Sequence, residues 1–228
     1  GCQKSKNALM SDPVATGPTD SRYVTRTYIG DLDGKLWRFD FGLSGADVSI
    51  DATTQLYSAG ADQPIYNSMA TVTVGTKQYV FIGTGSDLLP QTDKNTIYRL
   101  LGVLDGGSSG SKTFEKLLQK TASGSTITTD ERVTAFPAVA GDIVFFTTTV
   151  LNALCPAPDA RLYAFTFIGG PAYDNTGDNV VKTNQDTPLV KTIAGQRATA
   201  PFIVDQHVVF GAGGSNVQMF GDSAHYNN

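Results

Sequence analysis

The chain has 228 residues, a formal net charge of −4 and an isoelectric point near 5.0. Forty per cent of the residues are hydrophobic, which suffices for a packed core and excludes a largely disordered chain. The net charge is negative and no stripe of basic residues is present that could bind a nucleic-acid backbone. No apolar run reaches the roughly 18 residues that a membrane-spanning helix needs.

The first 20 residues show no sustained hydrophobic period and include Pro13 and Pro18, so we expect a flexible arm or linker over 1–20. The chain begins Gly-Cys without an initiator Met, which indicates a processed or trimmed piece. Cys2 and Cys155 match no metal-ligand spacing; a disulfide between them and pairing outside this sequence both remain open. Sparse charge with abundant Gly, Thr, Ser and Asn is typical of an exported β-protein.

The stretch YIGDLDGKLWRFDF, residues 28–41, has the pattern strand, tight turn, strand. Asp33-Gly34 favours a hairpin because Gly accepts a positive φ without a Cβ clash. Its carboxylates, Asp31 and Asp33 with Asp40 nearby, are expected at exposed and solvated turns, which argues against an acid–base pair. We expect Trp37 to pack between neighbouring sheets, together with Phe39.

Four short apolar bursts that end in small residues recur along the rest of the chain, and each is followed by a second apolar strand after a loop of variable length. Three of the bursts are also preceded by an alternating strand. Phe81, Phe145 and Phe210, about 64 residues apart, are expected at equivalent positions of successive units. A helical period appears only weakly at 114–118, where we allow one short helix. The bursts are YVTRTYIG (23–30), KQYVFIGTG (77–85), DIVFFTTT (142–149) and HVVFGAGG (207–214).

A self-similar unit of three or four strands with a period of roughly 40 to 65 residues is typical of β-propeller blades. The sequence therefore predicts an all-β fold with quinoprotein-like propeller blades over residues 21–222 and a tail over 223–228. About four blades are present, and the first lacks its leading strands. A closed ring of four is one alternative; the ragged ends favour a partial ring that belongs to a larger one of six to eight blades.

The residues GDLDGKLWRFDF (30–41) resemble the GDLxGxLWRFDL-type blade motif of the PilY (PilC-type) proteins of type IV pili. The resemblance continues in KQYVFIGTGSDL, TIYRLLGVLDGG and the stretch ERVTAFPAVAGDIVFF to LYAFTFIGG, and covers roughly residues 23–220. It implies the C-terminal propeller of an exported, surface-exposed protein that supports pilus assembly and adhesion. The implied partners are pilins or minor pilins, the remainder of the propeller and N-terminal region, and a host or surface ligand.

Members of this family often carry calcium loops rich in Asp and Asn, and the counterpart in this sequence is YDNTGDN (173–179). Asp174, Thr176 and Asp178 match the first three alternate oxygen ligands of an EF-type loop. Asn179 stands where the loop glycine belongs, Lys182 is an unfavourable neighbour and no Glu closes the loop. The ordinary interpretation is a solvated turn, and calcium is the one cofactor that the sequence leaves as a candidate.

A catalytic constellation is hard to build from this chain, because it has only two histidines, His207 and His225. We therefore expect a non-enzymatic interaction module that contacts partners through its most variable loops, 86–95, 105–112, 150–160 and 170–188. The alternatives are a quinoprotein-type (PQQ-like) oxidoreductase propeller and an envelope-assembly scaffold propeller. Trp37 is the only tryptophan and no adjacent cysteine pair exists, which argues against the oxidoreductase.

Overall fold

The fold is taken from a computed structural model. It describes residues 8–18, 23–44, 47–86, 96–124, 126–152, 157–205, 207–213 and 217–221. Both cysteines, His225, the predicted tail and nearly all of the predicted loop 86–95 lie outside these residues. Within the described part the chain forms strands and turns, and no helix in it is long and apolar enough to cross a membrane.

Seventeen β-strands are present in the described residues. Turns that only glycine adopts easily separate several of them; Gly34, with a φ of 77°, closes the turn between the second and third strands. In chain order the strands are β1 (Val14–Thr16), β2 (Arg26–Gly30), β3 (Lys35–Ser44), β4 (Asp47–Ser58), β5 (Ala70–Val74), β6 (Lys77–Gly83), β7 (Arg99–Asp105), β8 (Gly110–Leu117), β9 (Lys120–Ser123), β10 (Thr126–Val133), β11 (Ala138–Ala140), β12 (Ile143–Asn152), β13 (Asp159–Thr166), β14 (Leu189–Ile193), β15 (Phe202–Val204), β16 (His207–Gly211) and β17 (Val217–Phe220).

The strands form four antiparallel sheets that follow one another along the chain. The first sheet has the order β1-β2-β3-β4 and the second β5-β6-β7-β8. The third has the order β14-β13-β12-β10-β9, with β11 also paired to β12, and the fourth has the order β15-β16-β17. The innermost strands β1, β5, β11 and β15 contact one another in that order. This is the arrangement of propeller blades, and it confirms the predicted all-β partial propeller.

Each sheet has a forward face, toward the next sheet in chain order, and a back face on the opposite side. Since side chains alternate along a strand, neighbours in sequence belong to opposite faces. Tyr28 and Leu36 of the first sheet pack forward against Val80 and Ile82 of the second. Forward and back faces meet in the same way between the second and third sheets and between the third and fourth. Three apolar cores therefore join the four sheets.

The arc is open at both ends in the part of the chain that the structure describes. One equivalent position on the third strand of each sheet shows this. In the first, second and third sheets it is occupied by Leu36, Leu100 and Leu162, which are each 0% exposed on the forward face. Its equivalent in the fourth sheet, Val217, is 67% exposed. No core cluster among the described residues joins the fourth sheet to the first. The alternative of a closed four-blade ring is thus wrong for this arrangement.

The register corrects one predicted equivalence. The first residue of the innermost strand pairs with Phe81 in the second sheet, with Phe145 in the third and with Val209 in the fourth. Phe210 is therefore one residue out of step, and its side chain faces back into the core with the third sheet. A shift of one residue moves a strand side chain to the opposite face of the sheet. The regular interval of about 64 residues therefore did not identify the side chain of the fourth sheet that is equivalent to Phe81 and Phe145.

Residues 8–18 differ from the flexible arm predicted over 1–20. Val14–Thr16 form β1, which pairs with β2 as the innermost strand of the first sheet. The Ser11 hydroxyl is buried and accepts a hydrogen bond from the Gly30 N–H at 2.9 Å. This segment completes the first blade, because β2 has an open edge that needs backbone partners.

Two further predictions are wrong in detail. Residues 114–117 belong to strand β8 rather than to a short helix, because their backbone pairs with β7 and Phe114 stacks on Phe165 at 4.9 Å between ring centroids. On β3 it is Leu36 that packs between the first two sheets. Trp37 and Phe39 lie half-buried on the back face, away from the second sheet.

Candidate functional site

The connection between β13 and β14, residues 167–188, is the long loop that carries the predicted calcium ligands. It joins the third and fourth strands of its blade, as the tight turn 106–109 does in the second blade. Ile168, at its start, is 75% exposed. Unlike the predicted contact loop 105–112, which is mostly strand and tight turn, this loop presents an extended surface.

Asp174 organises the first half of the loop. Its Oδ1 accepts hydrogen bonds from the Thr176 N–H and hydroxyl, both at 2.9 Å, and from the Gly177 N–H at 2.7 Å. Its Oδ2 accepts the Asn179 N–H at 2.6 Å. Desolvation opposes ionisation of this carboxyl, but the Gly177 N–H and the other donors outweigh it and hold the pKa of Asp174 below its ordinary value. The carboxylate therefore acts as the cap of an Asx-type turn.

Asp186 closes the second half of the loop, and the sequence analysis did not single it out. Its side chain is 5% exposed and accepts the Asn175 N–H at 2.8 Å and the Lys182 N–H at 2.7 Å. Asp178 forms an ion pair with the Lys182 ammonium group. The loop is thus held by carboxylates that bind its own backbone and one lysine.

This arrangement does not fit a calcium ion bound by Asp174, Thr176 and Asp178. Calcium needs six to eight oxygens directed at one point, whereas the Asp174 oxygens are directed at N–H and O–H donors and Asp178 is paired with Lys182. Among the described residues no group of three or more His, Cys, Asp or Glu side chains has an arrangement suited to a metal. From these contacts we expect a metal titration to show no calcium binding at Asp174, Thr176 and Asp178.

The turn carboxylates of the opening motif have structural partners. Asp31 is 1% exposed, so the expectation that it lies solvated at a turn is wrong. Its carboxylate accepts the N–H groups of Asp33 and Lys35, at 2.9 and 2.8 Å, and the indole N–H of Trp37 at 2.9 Å. The motif thus builds its own turn: the aspartate binds the backbone that reverses direction and the tryptophan that follows it.

Asp40 belongs to a charged network that connects the first two sheets. It accepts Arg26 Nε at 2.9 Å and Arg38 Nε at 3.0 Å, and Arg38 also donates to Asp105 of the second sheet at 2.7 Å. The Tyr28 hydroxyl donates to Asp105 at 2.7 Å. Burial, together with the Asp105 carboxylate, raises the pKa of Tyr28 well above its ordinary value. The network fixes the first sheet against the second.

A second buried network surrounds Glu131 in the third sheet, and no local pattern in the sequence pointed to it. The Glu131 carboxylate accepts the hydroxyls of Thr148 and Tyr163, at 2.6 and 2.7 Å, and the Arg161 guanidinium at 2.6 Å. Burial and the neighbouring carboxylate raise the pKa of Tyr163. The hydroxyls of Thr148 and Tyr163 and the Arg161 guanidinium all donate to this one carboxylate, so the cluster ties β10, β12 and β13 together within the third sheet.

No protein-family model matches the chain, and no curated protein gives a significant match. Among solved structures, the chain is similar to the C-terminal domain of PilY1 from Pseudomonas aeruginosa, with 18% identity and a TM-score of 0.59 over 96% of this chain and 62% of that one. It is also similar to the computationally designed Ika4 protein (13% identity, TM-score 0.44, 94% of this chain and 98% of that one). BamB from Moraxella catarrhalis gives 11% identity and a TM-score of 0.29 over 98% of this chain and 86% of that one.

The likeness to the PilY1 domain, at this identity, concerns the fold alone. The Ika4 and BamB superpositions are too loose to carry an argument. The chain spans less than two thirds of the PilY1 domain structure that it resembles.

Proposed function

We propose that the chain is an interaction module of an exported, type IV pilus-related protein, acting through its surfaces and not through a reaction. The observation that carries this proposal is the similarity to the PilY1 C-terminal domain over 96% of the chain. The resemblance of residues 30–41 to the PilY-type blade motif supports it independently of the superposition.

The structure gives each part of that motif a mechanical role in the module. Asp31 holds the turn, Trp37 is bound to Asp31, and Arg38 ties the first sheet to the second. A rigid blade of this kind carries variable loops, where contacts with partners concentrate. The loop 167–188 is the best-supported contact surface, since its backbone is fixed by Asp174 and Asp186 while its outer side chains are exposed.

The partners of such a module would be pilins or minor pilins, a host or surface ligand, and further blades that complete the ring. A genetic experiment tests the pilus role. Deletion of the gene is expected to reduce the number of surface pili per cell and cell adhesion, and complementation with the wild-type gene to restore both. Unchanged pilus number and adhesion in the deletion strain would contradict the proposal.

The oxidoreductase and scaffold alternatives give different results in simple assays. A quinone absorbance band in protein purified from native cells, with dye-linked dehydrogenase activity, would favour the enzyme. Cross-linking of the chain to outer-membrane assembly proteins, without pilins, would favour an envelope scaffold.

A further inference from the structure

The outer part of the loop between β13 and β14 forms a compact lobe, residues 175–187, whose two ends are tied together. The side-chain oxygen of Asn175 accepts the Thr187 N–H at 2.8 Å, and its amide group donates to the Leu189 carbonyl at 3.1 Å. Asp186 accepts the Asn175 N–H at 2.8 Å. The structure describes every residue of the lobe. Short surface loops with joined ends hold their shape through their own contacts and are frequently functional.

The inside of the lobe is polar, and Asp186 is its only buried residue. The Asp186 carboxylate also accepts the Lys182 N–H at 2.7 Å, and the Lys182 carbonyl accepts the Asp186 N–H at 2.8 Å. None of the three apolar cores described between the sheets includes a residue of the lobe. The lobe therefore keeps its shape through the hydrogen bonds of Asn175 and Asp186, and not through the packing of the sheets.

The base of the loop is fixed to the second sheet, which gives the lobe a defined position on the arc. Phe167 packs on Phe81 at 5.3 Å between ring centroids, and its carbonyl accepts the Thr113 hydroxyl at 2.9 Å. Gly169, with a φ of 91°, donates its N–H to the Thr166 carbonyl at 2.9 Å and turns the chain. The third sheet packs on described neighbours on both sides, so the lobe does not lie at an end of the arc.

The outer side of the lobe presents two adjacent valines. Val180 is 53% exposed and Val181 is 46% exposed. They follow Asn179, which has a φ of 64° and donates its N–H to Asp174 at 2.6 Å. The Val180 N–H donates to Asp178 at 3.0 Å, so the backbone that carries the valines is fixed on both sides of Asn179. Since β-branched side chains have few rotamers, burial of these two costs little conformational freedom.

The side chains of the lobe exclude several classes of ligand. Its only cation, Lys182, is paired with Asp178, so the lobe offers no free positive charge to a nucleic acid or an anionic lipid headgroup. It contains no aromatic side chain on which a nucleobase could stack. Its buried carboxylate, Asp186, is occupied by N–H groups of the lobe itself. The exposed valines therefore fit an apolar pocket on the surface of a protein.

We propose that the lobe is the element through which the module binds a protein subunit of the pilus, with Val180 and Val181 inserted into an apolar pocket of that subunit. Asn175 and Asp186 hold the lobe in its binding shape before contact, which reduces the ordering that association requires. This inference rests on the proposed pilus role and adds to it the contact residues and the chemistry of the partner surface. Such binding persists at high ionic strength, because salt screens charge pairs and does not weaken the burial of apolar surface.

Co-sedimentation of the purified 228-residue chain with pili sheared from native cells tests this inference. Saturable binding is expected in both about 0.1 M and about 0.5 M NaCl. Val180→Asp is expected to weaken binding at least about 100-fold, because it places an unpaired carboxylate in an apolar pocket. Val24→Asp is the matched control, because Val24 is 50% exposed and lies in the connection between β1 and β2 of the first sheet. Both positions are exposed, so the urea midpoint should stay unchanged in each variant, and Val24→Asp should bind like the wild type.

Asp186→Ala tests the part played by the hydrogen bonds of the lobe. Backbone amide exchange in peptides that cover residues 175–187 is expected to become faster, while exchange in the strands of the third sheet stays unchanged. Binding to the pili is expected to weaken about tenfold, because the lobe must then be ordered on contact. Unchanged amide exchange in the lobe, or unchanged binding, would overturn this part of the proposal.

The outcomes separate this inference from the pilus role. Wild-type binding that Val180→Asp leaves intact would overturn the lobe as the contact and leave the pilus role standing. Binding that disappears in about 0.5 M NaCl would overturn the apolar pocket. Sedimentation of the chain without pili, abolished by Val180→Asp, would identify a second copy as the occupant and overturn the proposal. No binding of the wild-type chain would also overturn it, while the deletion strain decides the pilus role separately.

Discussion

Truncation of Leu162 tests whether the sheet-to-sheet cores hold the arc together. Leu162 is 0% exposed and packs with Phe210 and Ala198 of the next blade. Leu162→Ala removes three buried carbon atoms, which at about 0.8 kcal/mol each is roughly 2.4 kcal/mol of transfer free energy. The cavity that remains adds to this, so we expect the free energy of unfolding to fall by about 3–4 kcal/mol. The melting temperature should fall by roughly 6–16 °C for a chain of this size.

Urea unfolding followed by far-ultraviolet circular dichroism measures this change, with the slope of the transition expected to stay constant. Val217→Ala is the control, because Val217 occupies the equivalent position on the open face and is 67% exposed. This substitution should cost less than about 0.5 kcal/mol. Equal costs for the two substitutions would refute the open arc.

Three further predictions follow from the site. Calcium and EGTA are each expected to leave the melting temperature unchanged. A melting temperature that rises saturably with calcium concentration, and that no longer does so in Asp174→Ala, would contradict the loop contacts. The raised pKa of Tyr163 gives stability that is complete below pH 10, its unfolded value, and is lost as the pH rises toward the folded value. The urea concentration at the unfolding midpoint should therefore fall as the pH rises from 9 to 12, and it should fall less steeply in Tyr163→Phe. Equal pH dependence of the midpoint in the two proteins would contradict this prediction. Asp31→Ala removes a buried acceptor from three half-buried N–H donors and should cost about 2 kcal/mol, with a shift in Trp37 emission. Asp33→Ala should cost far less, and equal costs of the two substitutions in urea unfolding would count against the Asp31 contacts.

The blade strands were predictable because their signals are local. Alternating apolar residues that end at glycine or aspartate mark a strand and its turn within about ten residues. The bursts at 23–30, 77–85 and 207–214 contain β2, β6 and β16, the burst at 142–149 contains most of β12, and KLWRFDF begins β3. Their order also indicated repeated blades.

What the sequence did not reveal depends on partners that are distant along the chain. β1 is only three residues long and is a strand because β2 offers its edge. Phe210 lies one position out of step, which spacing alone does not detect.

The buried carboxylates show the same limit at the site. Asp186 binds a backbone N–H eleven residues away, and Glu131 binds a hydroxyl 32 residues away. Both are ordinary acidic residues in the sequence, and only the fold gives them partners.

The most direct test of the pilus role is mass spectrometry of surface fibres sheared from native cells, compared with the soluble envelope fraction. The proposed function predicts peptides of this chain enriched together with pilins in the fibre fraction. Absence from the fibres, with recovery of the chain as a free envelope protein, would contradict it.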